Sequence, residues 1–232
     1  MNQQASLKGF SYWRNRMREP ALTVLLAAEV VAIFAVVPAT GLPVYVLRSA
    51  DAPLGFLFAL IIVTAIARGR AALVLTFLAS AMGITADLFR YEWPSALSTS
   101  IFLFAFLGCL LTLSGVVSHV VFGSGHVTAH RVRGAVVLYL HLALMFTIVQ
   151  AIVLFFVPGA FGDTLDTTDT SVGGKLLYFS FTTLTTVGYG DIVPVHPYAR
   201  SAANLEAIFG QLYPATLLAR VVTLSVASRN GC

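Results

Sequence analysis

Between Pro158 and Tyr198 lies a stretch too apolar for an ordinary solvent loop: Gly173-Gly174-Lys175-Leu176-Leu177-Tyr178-Phe179-Ser180-Phe181-Thr182-Thr183-Leu184-Thr185-Thr186-Val187-Gly188-Tyr189-Gly190-Asp191. Its apolar part, Leu176 to Thr186, is also too short to cross a bilayer, which takes roughly 20 residues of helix. Non-helical backbone at membrane depth is tolerated only where protein buries it or where it lines a watery cavity. A half-helix followed by an extended Gly-X-Gly strand returning to the same side meets that condition, so the segment reads as a re-entrant pore loop. Three acids, Glu29, Asp87 and Glu206, lie within or at the edge of apolar runs, where ionisable groups are costly and usually functional. Glu29 and Asp87 are expected to face a polar interior among the first four helices. Glu206, a helical turn before Gly210, either braces the pore helix from behind or adds charge near a cavity. His119, His126 and His130 cluster beside a basic loop and read as solvated, while His141 sits inside an apolar run. No metal-ligand spacing stands out, and Cys109 and Cys232 read as free thiols. Without a Walker loop, zinc motif or nucleophile elbow, no enzyme activity and no organic cofactor are expected.

Such a loop needs membrane-spanning helices to hold it, and the composition supplies them. Hydrophobic residues make up 58% of the 232 and charged residues 10%, against about 25% charged in soluble domains, so nearly the whole chain is expected in lipid. Six apolar runs predict six spanning helices: Ala21 to Val37, about Ala52 to Ala67, Ala71 to about Phe89, about Ser95 to Val121, about Gly134 to Val157, and about Tyr198 to Val226. Lys8, Arg14, Arg16, Arg18, Arg68, Arg70, Arg131, Arg133 and Arg229 fall on one side if both termini are cytoplasmic. Asp51, Glu92, Asp163, Asp166, Asp169 and Asp191 fall on the other. This is the asymmetry that fixes orientation in a cell membrane, and it accounts for the net charge of +4 without nucleic acid as a partner. The start of the chain reads as an interfacial segment anchored by Trp13, not a cleaved signal peptide. The expected organisation is an interfacial N-terminus (1–20), a peripheral four-helix membrane domain (21–122), a cytoplasmic linker (123–133), a pore domain (134–226) and a short tail (227–232).

Thr185-Thr186-Val187-Gly188-Tyr189-Gly190-Asp191, placed between two spanning helices, resembles the selectivity filter of tetrameric potassium channels. The resemblance covers about Gly134 to Arg220; the first four helices share only a generic six-helix plan. It implies an all-α membrane protein in which a re-entrant pore helix and filter lie between helices five and six, assembled as a homotetramer with three further identical subunits in membrane lipid. It assigns K+ to Thr186, Val187, Gly188 and Tyr189, with Gly190 and Asp191 shaping the outer mouth. Potassium must shed its water, and rings of backbone carbonyls replace that shell. Gly188 and Gly190 supply dihedrals that residues with a Cβ avoid. Filter support is expected from Thr185, from Tyr178 and Phe179 as an aromatic cuff around Tyr189, and from Thr182, which stands where some members carry a Glu.

The resemblance also places Gly210 at the family's inner-helix hinge, nineteen residues after Asp191. Pro214 removes an amide and crowds the preceding turn, so a bend is expected there. Helical spacing puts Gln211, Pro214, Leu218 and Val222 on one stripe, the expected pore lining and gate. The fourth run, Ser95 to Val121, holds no Lys or Arg, so steep voltage gating is not expected. The function implied is passive, potassium-selective conduction; the alternatives are a non-conducting sensor or scaffold that retains a pore module, and a weakly selective cation channel.

Overall fold

The computed structural model describes residues 22–36, 59, 62, 70–93, 95–122, 129–165 and 171–230, the last ten by backbone alone. Every regular element among them is helical. In chain order they are α1 (Leu22–Ala35), whose end widens into a π-helix over Ala32–Val36, α2 (Arg70–Glu92), α3 (Ala96–Val121), α4 (Ala129–Phe156), α5 (Val172–Leu184) and α6 (Pro197–Asn230). A short 3-10 turn, Gly162–Thr164, precedes α5.

Among the described residues, three helices are long and apolar enough to cross a membrane: α2 over Ala71–Phe89, α3 over Ala96–Val121 and α4 over Arg131–Phe156. They coincide with the third, fourth and fifth apolar runs. The expected second span lies outside the described residues except for Ala59 and Ile62, both buried. Also outside them are the N-terminus before Leu22, His126 and the rest of 123–128, Asp166, Asp169, Cys232 and the side chains of His130 and Val222.

Helix ends follow local chemistry. α3 starts at Ala96 because Ser95 caps it: the Ser98 amide donates to the Ser95 hydroxyl at 3.1 Å and the Ser95 amide donates to the Ser98 hydroxyl at 3.3 Å, a reciprocal capping box. α4 begins at Ala129, ahead of the expected start near Gly134. Gly134 is no boundary but a packing glycine, since a Cβ there would come 2.6 Å from the Val121 side chain of α3. Along the apolar helices, hydroxyls return to their own backbone carbonyls, Thr76 to Ala72, Thr147 to Ala143 and Thr112 to Gly108, so these polar residues cost little in lipid.

α2 packs on α3, α3 on α4, α4 on both α5 and α6, and α5 on α6. One core joins Leu22 and Leu25 of α1 to Cys109, Leu113 and Val117 of α3 and to Ala135 and Leu138 of α4, with Tyr213 and Leu217 of α6 against it. A second ties the end of α4 to the pore loop through Leu154, Phe161, Leu165, Leu176, Phe179 and Ala199. α1 also reaches α5: Ile33 packs with Leu140 and Leu177, and the Phe34 and Phe181 rings lie 5.8 Å apart. The first helix therefore walls the pore helix directly instead of standing wholly outside the pore unit. Phe77, Leu78, Leu88 and Phe89 of α2 point outward, as a face toward lipid requires.

Candidate functional site: the pore loop

Behind the loop, α4 ends at Phe156 and the chain runs on through Pro158-Gly159. Gly159 and Gly162, at φ of 80° and 60°, turn the chain, and Phe161 anchors the turn at 1% exposure. The returning strand is fastened to this turn, because the Val195 and His196 amides both donate to the Ala160 carbonyl, at 2.9 and 3.2 Å. Arg200 Nε donates to the Pro194 carbonyl at 3.0 Å where α6 begins. Both ends of the segment are thus fastened to one another.

α5 places its C-terminus at the filter, and the join is made by backbone. The Val187 and Gly188 amides donate to one acceptor, the Thr182 carbonyl, at 2.9 and 3.1 Å, while the Thr186 amide donates to Thr183 at 3.0 Å. The chain turns sharply off the helix and the last-turn carbonyls stay occupied. Thr182 thus holds the following strand through its carbonyl; its hydroxyl donates back to Phe179 at 2.9 Å. The Thr185 hydroxyl likewise donates to the Phe181 carbonyl, at 2.6 Å.

Along the filter, φ is positive at Thr186 (59°), Gly188 (52°) and Gly190 (79°), and at neither Val187 nor Tyr189. A strand whose residues alternate between left- and right-handed dihedrals turns successive carbonyls toward one side, unlike a pleated strand, where they alternate. Glycine makes this cheap at 188 and 190. At Thr186 the left-handed conformation carries a cost that surrounding structure must offset, and the composition of the segment did not signal it.

Tyr178 stacks on Tyr189, ring centroids 6.1 Å apart and planes 1° from parallel, and its hydroxyl lies against the Asp191 carboxylate. Phe179 is not part of this stack. Consecutive helical residues point about 100° apart, and Phe179 turns into the core to meet Phe161 edge-on at 5.3 Å. The aromatic pair therefore splits between filter and scaffold.

α6 crosses the end of α5 at Gly210. A Cβ there would fall 1.8 Å from the Leu184 carbonyl oxygen, so the expected hinge glycine is also the point of closest approach of the two helices. One residue on, Gln211 Nε2 donates to the Thr186 hydroxyl at 3.1 Å. The helix continues through Pro214. Leu218 is exposed, whereas Leu217 turns into the core shared by α1, α3 and α4. Tyr213 pins this stretch to α4 by donating to the Ala135 carbonyl at 2.7 Å.

Glu206 is fully buried, against Ser180 of α5. Gln150 Nε2 of α4 donates to its Oε2 at 3.5 Å, and Ser180 of α5 faces the same carboxyl group. Glu206 Oε1, Gln150 Oε1 and Ser180 Oγ close no further hydrogen bond among the described residues. A second buried polar chain joins residues that the sequence analysis treated separately. Glu29 Oε1 of α1 lies 2.5 Å from His141 Nε2 of α4, and His141 Nδ1 lies 3.1 Å from the Ser114 hydroxyl of α3. Neither pairing has a local signal, since the partners are far apart in sequence. Asp87 is half-buried and His119 exposed.

A family model described as Ion channel matches residues 142–226, the span from α4 through the turn, α5 and the strand to α6. This part of the chain is similar to an ion-channel domain. Its limits enclose the second half of α4, most of α6 and every residue between them. The expected pore domain began eight residues sooner, at Gly134, and ended at the same Val226. No curated protein and no solved structure matches the chain.

Proposed function

We propose that this protein is one subunit of a potassium-selective channel, with four copies around one pore conducting K+ passively across a cell membrane. The observation that carries this reading is the alternation of φ at Thr186, Gly188 and Gly190 within a strand tied to the end of a pore helix. That backbone offers carbonyls as successive ligands for a dehydrated cation. The ions would be held by Thr186, Val187, Gly188 and Tyr189. The carbonyl end of α5 is directed at the filter's start, where the helix dipole favours a cation.

Fourfold assembly follows from incompleteness. One chain supplies one strand of carbonyls, whereas a cation needs a ring of them, and closed rotational symmetry provides it. In the single subunit Val187 and Tyr189 are 54% and 71% exposed, apolar area that neighbouring copies would cover. The six-span plan with both termini in the cytoplasm belongs to the same proposal and rests on the distribution of Lys and Arg.

Gly188→Ala tests the reading. A Cβ there has open space within 4 Å, but φ is +52°, and a left-handed residue with a side chain costs about 1–2 kcal/mol, incurred four times in one filter. K+ flux into proteoliposomes should fall to background while the variant reaches the membrane in normal amount. Wild-type flux from Gly188→Ala would contradict the filter assignment.

A further inference from the structure

Gln211 sits beside a close approach of α6 to the end of α5. Gly210 is in van der Waals contact with the Leu184 carbonyl, with no room for even a methyl group, so the residue after it is held at fixed distance from the end of α5. Its side chain crosses to the first filter residue, and Nε2 lies 3.1 Å from Thr186 Oγ1. Thr186 is also the filter's single non-glycine residue at positive φ, and its amide is held by Thr183 at 3.0 Å. A threonine hydroxyl has one hydrogen and two lone pairs and rotates to suit its partners. One lone pair engaged by Gln211 leaves the other, with a defined direction, for an ion on the axis.

We propose that Gln211 is a positioning residue for the innermost cation site: it orients the Thr186 hydroxyl and makes that site responsive to the placement of α6. This rests on the potassium-channel reading above. It goes beyond that reading by naming a side chain outside the filter that sets the filter's inner end. Four such contacts, one per subunit, would ring the entrance from the cytoplasmic side. A displacement of α6 that stretched them would release four hydroxyls together, so the inner helix and the filter share one switch.

The contact is tested by a double-mutant cycle on the full-length tetramer in planar bilayers, read by block with internal Ba2+. This cation is close to K+ in size, carries twice the charge, and entering from the inside meets the Thr186 ring first. Gln211→Leu should shift the half-blocking Ba2+ concentration at least fivefold. Gln211→Asn, one methylene too short, should shift it equally. In a Thr186→Ala background, where no hydroxyl remains, Gln211→Leu should add less than twofold; in Thr186→Ser, which keeps the oxygen, it should act as in the wild type. Coupling of this kind is what residues in direct contact show and independent sites do not. Shifts that multiply in the Thr186→Ala background, or wild-type block in Gln211→Asn, would overturn the proposal while leaving the channel reading intact. A wild-type protein that passes no K+ would instead bring down the channel reading, and this assignment with it.

Discussion

Glu206 shows how one buried side chain binds three helices. Its carboxyl group meets Gln150 of α4 and Ser180 of α5 at a site with no exposure, and among the described residues its partners include no Lys, Arg or His. Polar groups in such a place hold structure only while they satisfy one another. Glu206→Gln keeps the shape, an oxygen for Gln150 Nε2 and a donor for the unpartnered Gln150 Oε1. It should leave the thermal stability of the detergent-solubilised protein within about 1 kcal/mol of wild type, the typical cost of a point change. Glu206→Ala strands two buried partners and opens a void, costing about 2–4 kcal/mol. Equal melting of the two variants would refute this role. The contacts of Glu206 with Gln150 and Ser180 favour the bracing role among the two its sequence context allowed.

Elements show what a sequence can and cannot carry. The strand after α5 was legible as a candidate filter because its residues are contiguous: seven neighbours contain the glycines, the hydroxyl and the returning acid. The apolar runs marked α2, α3 and α4 for the same reason, since crossing lipid demands an unbroken stretch. What stayed hidden depends on partners distant in sequence or on backbone atoms that every residue has. The Thr182 carbonyl, the Gln211–Thr186 bond and the Glu29–His141 pair are of this kind. Gly134 misled as a boundary because a glycine that lets helices touch looks no different from one that ends a helix. On α6 the helical spacing separates Leu218, exposed at 65%, from Leu217 in the core. If the Gln211, Pro214 and Leu218 stripe faces the pore, four copies of Leu218 form an apolar constriction that closes by dewetting. Leu218→Asn should then raise basal K+ flux severalfold. Leu217→Asn should change flux little and instead destabilise the protein by about 1–3 kcal/mol, the cost of an unpaired buried amide. Cysteine labelling from the cytoplasm at 217 but not at 218 would reverse the face assignment.

At the scale of the whole molecule, peripheral helices, pore helix and inner helix form one connected body. α1 touches α5 through Phe34 and Phe181, and Arg220 of α6 donates to the Phe122 carbonyl at the end of α3 at 2.7 Å. Movement of the outer helices has a route to the pore, but α3 carries no Lys or Arg over Ala96–Val121. Each charge crossing the field contributes about 2.3 kcal/mol per 100 mV, so without such charges on α3 open probability should vary only shallowly with voltage. A steep sigmoid accompanied by gating current would contradict that. The central claim, selectivity for potassium, is tested most directly by the reversal potential of the purified protein in planar bilayers as K+ on one side is replaced by Na+. The account predicts that the reversal potential follows the potassium equilibrium potential throughout the replacement, and a reversal that stays near zero would contradict it.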